Sequence, residues 1–194
     1  MFSSGEKVGE AEEFMSDITK RAISASLKKL LCEKGLNKIT VQDIADDCGI
    51  NRQTFYYHFQ DIYDLVEWTC IEDTEKVLKE NRTYDTWQEG FLAVFALAKK
   101  DKVFIDNIYR SVSLEMLEQY LYRLLKNVVD EKSKGFPVRD EDKEYIAHFY
   151  KYAFVGVLLD WVRHDMSESP EAIVEKVSKI VGGTIESAFK NFSK

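Results

Sequence analysis

The chain has 194 residues, of which 45% are hydrophobic and 31% charged, and it carries a formal net charge of −7. That length excludes a large multidomain enzyme, and that balance excludes an intrinsically disordered chain. Two prolines and nine glycines are too few for a sandwich or barrel, whose strands need a turn signal every ~8–12 residues. The chain reads as all-α, with about nine helices.

Residues 1–13 pair Lys7 with four glutamates, lack the basic-then-apolar order of a secretory signal, and read as a flexible tail. A first helix is expected from Ser16, as N-cap, to about Lys34, with Gly35 as its stop. Its buried stripe is Ile23, Leu27, Leu30 and Leu31. A short second helix starts at Thr40, whose hydroxyl caps Asp43, and ends at Cys48-Gly49. Asn51 caps a third, from Arg52 to about His58, which buries Phe55 and Phe59.

A fourth helix runs from Asp61 towards Asn81. Further helices follow at about 86–100, 102–111 and 114–134, and a break at Lys134-Gly-Phe-Pro137 ends that series. From Asp140 a helix carries an apolar stretch, 149–162. Lys151, Gly156 and Asp160 interrupt that stretch, which is shorter than the ~20 residues needed to cross a bilayer, so no membrane partner is expected. Ser169-Pro170 opens a final helix whose inner face is Ile173, Val177, Ile180 and Val181.

Two short helices around a glycine turn, braced by an earlier amphipathic helix, form the helix-turn-helix plan, whose second helix enters a major groove. With Phe55 and Phe59 turned inward, Gln53 and Tyr57 face outward, Thr54 and Tyr56 flank them, and Arg52 stands at the tip. Arginine suits guanine O6/N7 and glutamine adenine N6/N7, while Thr, Tyr and His are natural phosphate donors. The charge pattern agrees. Residues 14–60 hold seven Lys/Arg against five Asp/Glu, and residues 61–194 hold nineteen against twenty-five, so any DNA patch belongs to the front of the chain.

The run T-V-Q-D-I-A-D-D-C-G-I-N-R-Q-T-F-Y-Y-H-F, Thr40 to Phe59, resembles the N-terminal domain of the TetR family of bacterial transcriptional regulators. The resemblance implies an N-terminal DNA-binding domain over 14–60 and a helical effector-sensing and dimerisation domain over 61–194. It implies base readers at Gln42, Arg52, Gln53 and Tyr56, and phosphate contacts at Thr40, Thr54, Tyr57 and His58. Asp61-Ile62 stand where the family often has a phosphate-anchoring lysine, which leaves the backbone N–H groups of that helix start for the role. The rest of the chain is similar to the branch that includes activators of dihydroxyacetone kinase genes.

The implied partners are a double-stranded DNA operator and a second copy of the chain, with a small-molecule effector or a partner protein as signal. In the family the last two long helices dimerise. Phe149, Tyr152, Ala153, Gly156 and Val157 exceed one face's worth of small and apolar groups, and with Ile173, Val177 and Ile180 they form the candidate dimer surface. The glycines at 156, 182 and 183 suit close backbone approach or a bend.

The abundance of aromatics in residues 84–165 suggests a pocket lined by Trp87, Phe91, Phe95, Tyr109, Tyr120 and Trp161, with ordinary core packing as the alternative. Such a pocket would enclose roughly 300 Å³ or more.

Catalytic motifs are missing: there is no G-x-S-x-G, no phosphate-cradling glycine loop and no H-E-x-x-H. Glu144 and His148 are four apart, not the three of a di-iron helix, and read as a surface pair. No enzyme activity, cofactor or metal is expected. Cys32, Cys48 and Cys70 are odd in number and lack C-x-x-C spacing, which points to reduced thiols and a cytoplasmic chain. The competing function is a helical protein-interaction module without DNA binding, suggested by the acidic body. It leaves the polar and aromatic face of the third helix unexplained.

Overall fold

The computed structural model describes residues 4–78, 86–111 and 115–193, with side chains from 15 onward apart from 110, 111, 116, 117, 120, 121, 123 and 124. All regular structure among them is helical: α1 (Ser4–Leu31), α2 (Val41–Cys48), α3 (Arg52–His58), α4 (Ile62–Leu78), α5 (Trp87–Lys100), α6 (Lys102–Ser111), α7 (Glu115–Lys132), α8 (Asp140–Arg163), α9 (Pro170–Val181) and α10 (Thr184–Phe192). A 3₁₀ turn, Leu36–Lys38, follows α1.

Two compact units divide the chain. The first takes residues 1–70 and 103–112, the second 71–102 and 113–194.

In the first unit, Ile23, Leu27, Leu30 and Leu31 of α1 are buried at the expected spacing and meet Ile44, Phe55 and Phe59. Leu65 and Val66 of α4 complete one apolar core with Phe104 of α6. The pairing of α6 with this unit has no local sequence signal. It is fixed by Phe104, 5% exposed, and by Asn107, whose Oδ1 accepts the Leu36 N–H at 3.3 Å while its Nδ2 donates to the Val103 carbonyl at 2.8 Å. Inside the same core Thr69 of α4 donates to Ser24 of α1 at 3.0 Å, so two buried hydroxyls satisfy each other.

Two boundaries differ from expectation. α1 begins at Ser4, so Ser16 is interior to the helix and residues 4–13, expected as a tail, extend it backwards. The expected final helix is two helices: α9 ends at Val181, and Gly183, at φ +73°, starts α10. A left-handed residue cannot continue a helix, and glycine takes that conformation without steric cost.

In the second unit, α7 packs along α8. Ser169 caps α9 with Pro170 at its first position, as expected. At the start of α8, Arg139 grips the buried carboxylate of Asp142 with two hydrogen bonds, 2.8 and 3.1 Å. At its end Asp165 and Met166 both take positive φ, and the Trp161 indole N–H donates to the Glu168 carbonyl at 2.8 Å, pinning that corner. No helix among the described residues is long and apolar enough to cross a membrane.

Candidate nucleic-acid interface

The helix-turn-helix is built by its caps. Asp43 N–H donates to Thr40 Oγ1 at 3.2 Å and Thr40 N–H donates to Asp43 Oδ2 at 2.7 Å, a reciprocal box that starts α2. The bonds from Thr40, then Lys34 2.9 Å away, hold the Asp43 carboxyl down at about 2. Gly49, at φ +67°, turns the chain, and Asn51 Oδ1 accepts the Thr54 N–H at 2.8 Å to start α3. Lys29 of α1 bonds Asp47 of α2 across the helix pair.

α3 then presents one polar and aromatic face. Phe55 and Phe59 are buried, while Arg52, Gln53, Tyr56 and Tyr57 are exposed, Tyr57 to 82%. Arg52 Nη2 donates to Tyr56 Oη at 3.3 Å. Thr54 is half-buried, and its hydroxyl donates to Asn51 at 3.2 Å. His58 is half-buried with Nδ1 3.5 Å from Ser16 Oγ. Burial, and then Lys20, holds its pKa below the ordinary histidine value.

Gln42 on α2 and its N-cap Thr40 both meet acidic neighbours. Gln42 Nε2 donates to Asp46 at 2.7 Å, and the Thr40 hydroxyl donates to Asp43 at 2.7 Å. The start of α4 is also occupied. Asp64 N–H donates to Asp61 at 2.9 Å and Gln60 N–H to Asp64 at 2.8 Å, so two carboxylates sit where a phosphate anchor was expected. Both pairings follow from i, i+3 and i, i+4 spacing and could have been read from the sequence.

Elsewhere the candidate residues separate. On α8, Phe149, Tyr152, Ala153 and Gly156 are exposed and Val157 is half-buried. On α9, Ile180 is exposed to 72% rather than facing inward, Val177 is half-buried and Ile173 is buried in its own unit.

Of the pocket set, Phe91, Phe95 and Trp161 are buried and in ring contact, 4.7 Å between Phe91 and Phe95 and 4.8 Å between Phe95 and Trp161. The three rings pack on one another in sequence across α5 and α8. Tyr109 belongs to α6 and the first unit, and the side chain of Tyr120 lies outside the described residues. Trp87 alone of the set borders a cleft, of about 280 Å³, in the second unit. His148 stacks on Tyr122 at 4.2 Å, and among the described residues no cluster of three or more His, Cys, Asp or Glu is placed to hold a metal.

Residues 23–68 match the description "Bacterial regulatory proteins, tetR family", and residues 85–183, more than half of the chain, match "Transcriptional regulator C-terminal region" of the same family. The chain belongs to the TetR family. Its helix-turn-helix is therefore the family's DNA-binding domain, and the protein is a TetR-family transcriptional regulator.

Among curated relatives, this TetR-family chain is similar to the HTH-type dhaKLM operon transcriptional activator DhaS of Lactococcus lactis subsp. lactis (strain IL1403). The two are 26% identical over 148 residues, 73% of this chain and 78% of that one. It is 22% identical over 177 residues to the HTH-type transcriptional regulator YxbF of Bacillus subtilis (strain 168), covering 86% of this chain but less than half, 46%, of that longer protein. Among solved structures, the dihydroxyacetone kinase operon activator DhaS superposes with a TM-score of 0.62 at 21% identity, covering 91% of this chain and 99% of that one, which shows the shared fold.

Proposed function

We propose that this TetR-family regulator binds a near-palindromic duplex as a homodimer, with α3 of each copy in a major groove and a signal received by the second unit. The exposed face of α3 carries the reading: Arg52, Gln53, Tyr56 and Tyr57 project together from a helix that Phe55 and Phe59 anchor. Arg52 pairs with a guanine, Gln53 and Gln42 with adenines, and Tyr56 contacts a base edge beside them. Tyr57, Thr54 and His58 reach phosphates.

Thr54 releases its bond to an uncharged amide more readily than Thr40 releases a shorter one to a carboxylate, so Thr40 serves as a cap first. Asp61 and Asp64 repel phosphate at the start of α4 and shift the contacts onto α3.

The second copy is supported by an apolar stripe on α8, Tyr145, Phe149 and Tyr152, with Ile180 on α9, all exposed in one protomer. Twofold pairing places two recognition helices on half-sites about one turn, ~34–36 Å, apart. Such a regulator works in the cytoplasm, where its operator is.

The test is a mobility shift with fragments selected from the source genome, run across a salt series. Phosphate neutralisation makes affinity fall steeply with salt, so specific, salt-sensitive binding is expected. Absence of any duplex binding at low salt supports the interaction-module reading instead.

A further inference from the structure

We propose that the cleft beside the α9–α10 break is a binding site for a small uncharged molecule, an apolar ring-sized frame bearing a hydroxyl group. The proposal rests on the reading that the second unit receives a chemical signal, and it names where that signal sits. The cleft of about 280 Å³ is bordered by Trp87 and Gln88 of α5, Leu125 and Val128 of α7, Tyr150 and Phe154 of α8, and by Ser178, Val181, Gly182 and Ile185 around the break. That volume is at the lower edge of the ~300–1,000 Å³ of known small-molecule sites, so a compact guest fits and a drug-sized one does not.

The walls set its chemistry. Rings and aliphatic side chains dominate, with Trp87 and Phe154 in edge-to-face contact at 5.5 Å. None of the bordering side chains is ionised at neutral pH. The polar groups have defined directions. Thr184 Oγ1 donates to the Val181 carbonyl at 2.8 Å, so in the 2.6 Å contact between Tyr150 and Thr184 the phenol must donate. The Tyr150 oxygen is left as an acceptor. Ser178 likewise donates to the Val174 carbonyl at 2.7 Å and keeps acceptor capacity. Among the described residues the Gln88 amide has no hydrogen-bond partner.

A guest hydroxyl therefore meets acceptors as well as the two-way Gln88 amide. A carboxylate meets no cation, and burial with the nearby Glu186 carboxylate, which together push the Tyr150 phenol up, opposes it further.

The position gives the site leverage. Tyr150 and Val181 border the cleft, and their immediate neighbours Phe149 and Ile180 are exposed on the other side of the same helices, within the stripe proposed to pair with a second copy. A guest that touches both sides of the Gly182-Gly183 break fixes the angle between α9 and α10. It acts on DNA affinity only through a difference in its affinity for the two arrangements of the dimer.

Benzyl alcohol and benzoate share one frame and differ in charge, and the full chain is titrated with each while the Trp87 indole resonance is followed by NMR. Benzyl alcohol is expected to shift that resonance saturably, with benzoate binding far more weakly. Val181→Phe and Val128→Phe, two independent fillings of the cleft, are expected to abolish the shift in folded protein, and Gln88→Leu to weaken it. No saturable shift, a shift that survives both fillings, or equal binding of benzoate overturns the proposal. DNA affinity with and without benzyl alcohol is read separately. Binding to DNA without binding of the probe overturns the site alone. Binding of the probe with no change in DNA affinity upholds the site and overturns its regulatory use.

Discussion

Arg52 and Tyr56 form a pair on the exposed face of α3, with the guanidinium 5.8 Å from the ring centroid and Nη2 donating to the phenol oxygen at 3.3 Å. They are one helical turn apart, the spacing at which side chains meet, so the arginine is oriented before any duplex arrives.

Arg52→Ala is expected to cost roughly 1–3 kcal/mol of specific binding and to relax preference at one base pair per half-site. Tyr56→Phe keeps the ring beneath the guanidinium and loses the hydroxyl contact, so its loss should be smaller and confined to the base pair read by Arg52 and the base edge beside it. Binding to a panel of single-base operator variants reads both. Loss spread evenly over all positions contradicts the pairing of Arg52 with a base.

His58 gives two pH trends of opposite sign. Its pKa is held below the ordinary 6.5 by burial, then by Lys20, so the folded first unit prefers the neutral ring. The resulting stability is fully present above pH 6.5 and is lost as the pH falls below that value towards the folded pKa. A phosphate contact favours the charged ring, so DNA affinity should instead rise from about pH 7.5 to about pH 6. Thermal melts and mobility shifts over that range should show both trends in the wild type and neither in His58→Gln.

The Ser24–Thr69 pair sets a cost for breaking one buried hydrogen bond. Thr69→Val leaves the Ser24 hydroxyl without its partner at the α1–α4 contact and should destabilise the chain by about 1–3 kcal/mol. Adding Ser24→Ala should recover much of that loss, since apolar groups of similar shape then replace both partners. Denaturant midpoints of the two single variants and the double variant form the cycle.

Phe149→Asp and Ile180→Asp test the proposed pairing surface. Phe149 is 65% and Ile180 72% exposed in one protomer, so both variants should fold normally. Light scattering at micromolar concentration should find a dimer in the wild type and monomers in the variants. A dimer that persists in both places the contact elsewhere.

What could be read from the sequence was local. Thr40, Asp43, Gly49 and Asn51 act within three or four residues of themselves, and the buried spacing of Phe55 and Phe59 follows from the helical repeat. Phe91, Phe95 and Trp161 fit either a pocket or a core in the sequence, because an aromatic side chain at helical spacing looks the same whether it borders a void or fills one. Only the partners across the bundle decide. Gly182-Gly183 reads in the sequence as a close approach or a bend within one final helix, although adjacent glycines near the close of an apolar repeat also fit the left-handed stop that the structure has there. Ile180 lies two turns after the buried Ile173 on nearly the same side of α9 and yet is 72% exposed, so what covers Ile173 stops short of that turn in one protomer, and helical spacing alone does not tell the two apart. The attachment of α6 to the first unit depends on Phe104 and Asn107 meeting residues far away in the chain, and no window of sequence contains both sides.

That attachment bears on the order in which the protein comes into being. A ribosome synthesises the whole of α1 to α4 before it reaches Phe104 or Asn107, about thirty residues later, so the apolar core of the nascent DNA-binding unit is completed only when those residues follow. During that interval the surface meant for Phe104 is open, and Leu36 lacks the side-chain acceptor for its N–H. Cutting the chain at Cys70 makes the interval permanent. The reader of this regulator is therefore no detachable cassette: grafted onto another body, it must bring α6 along.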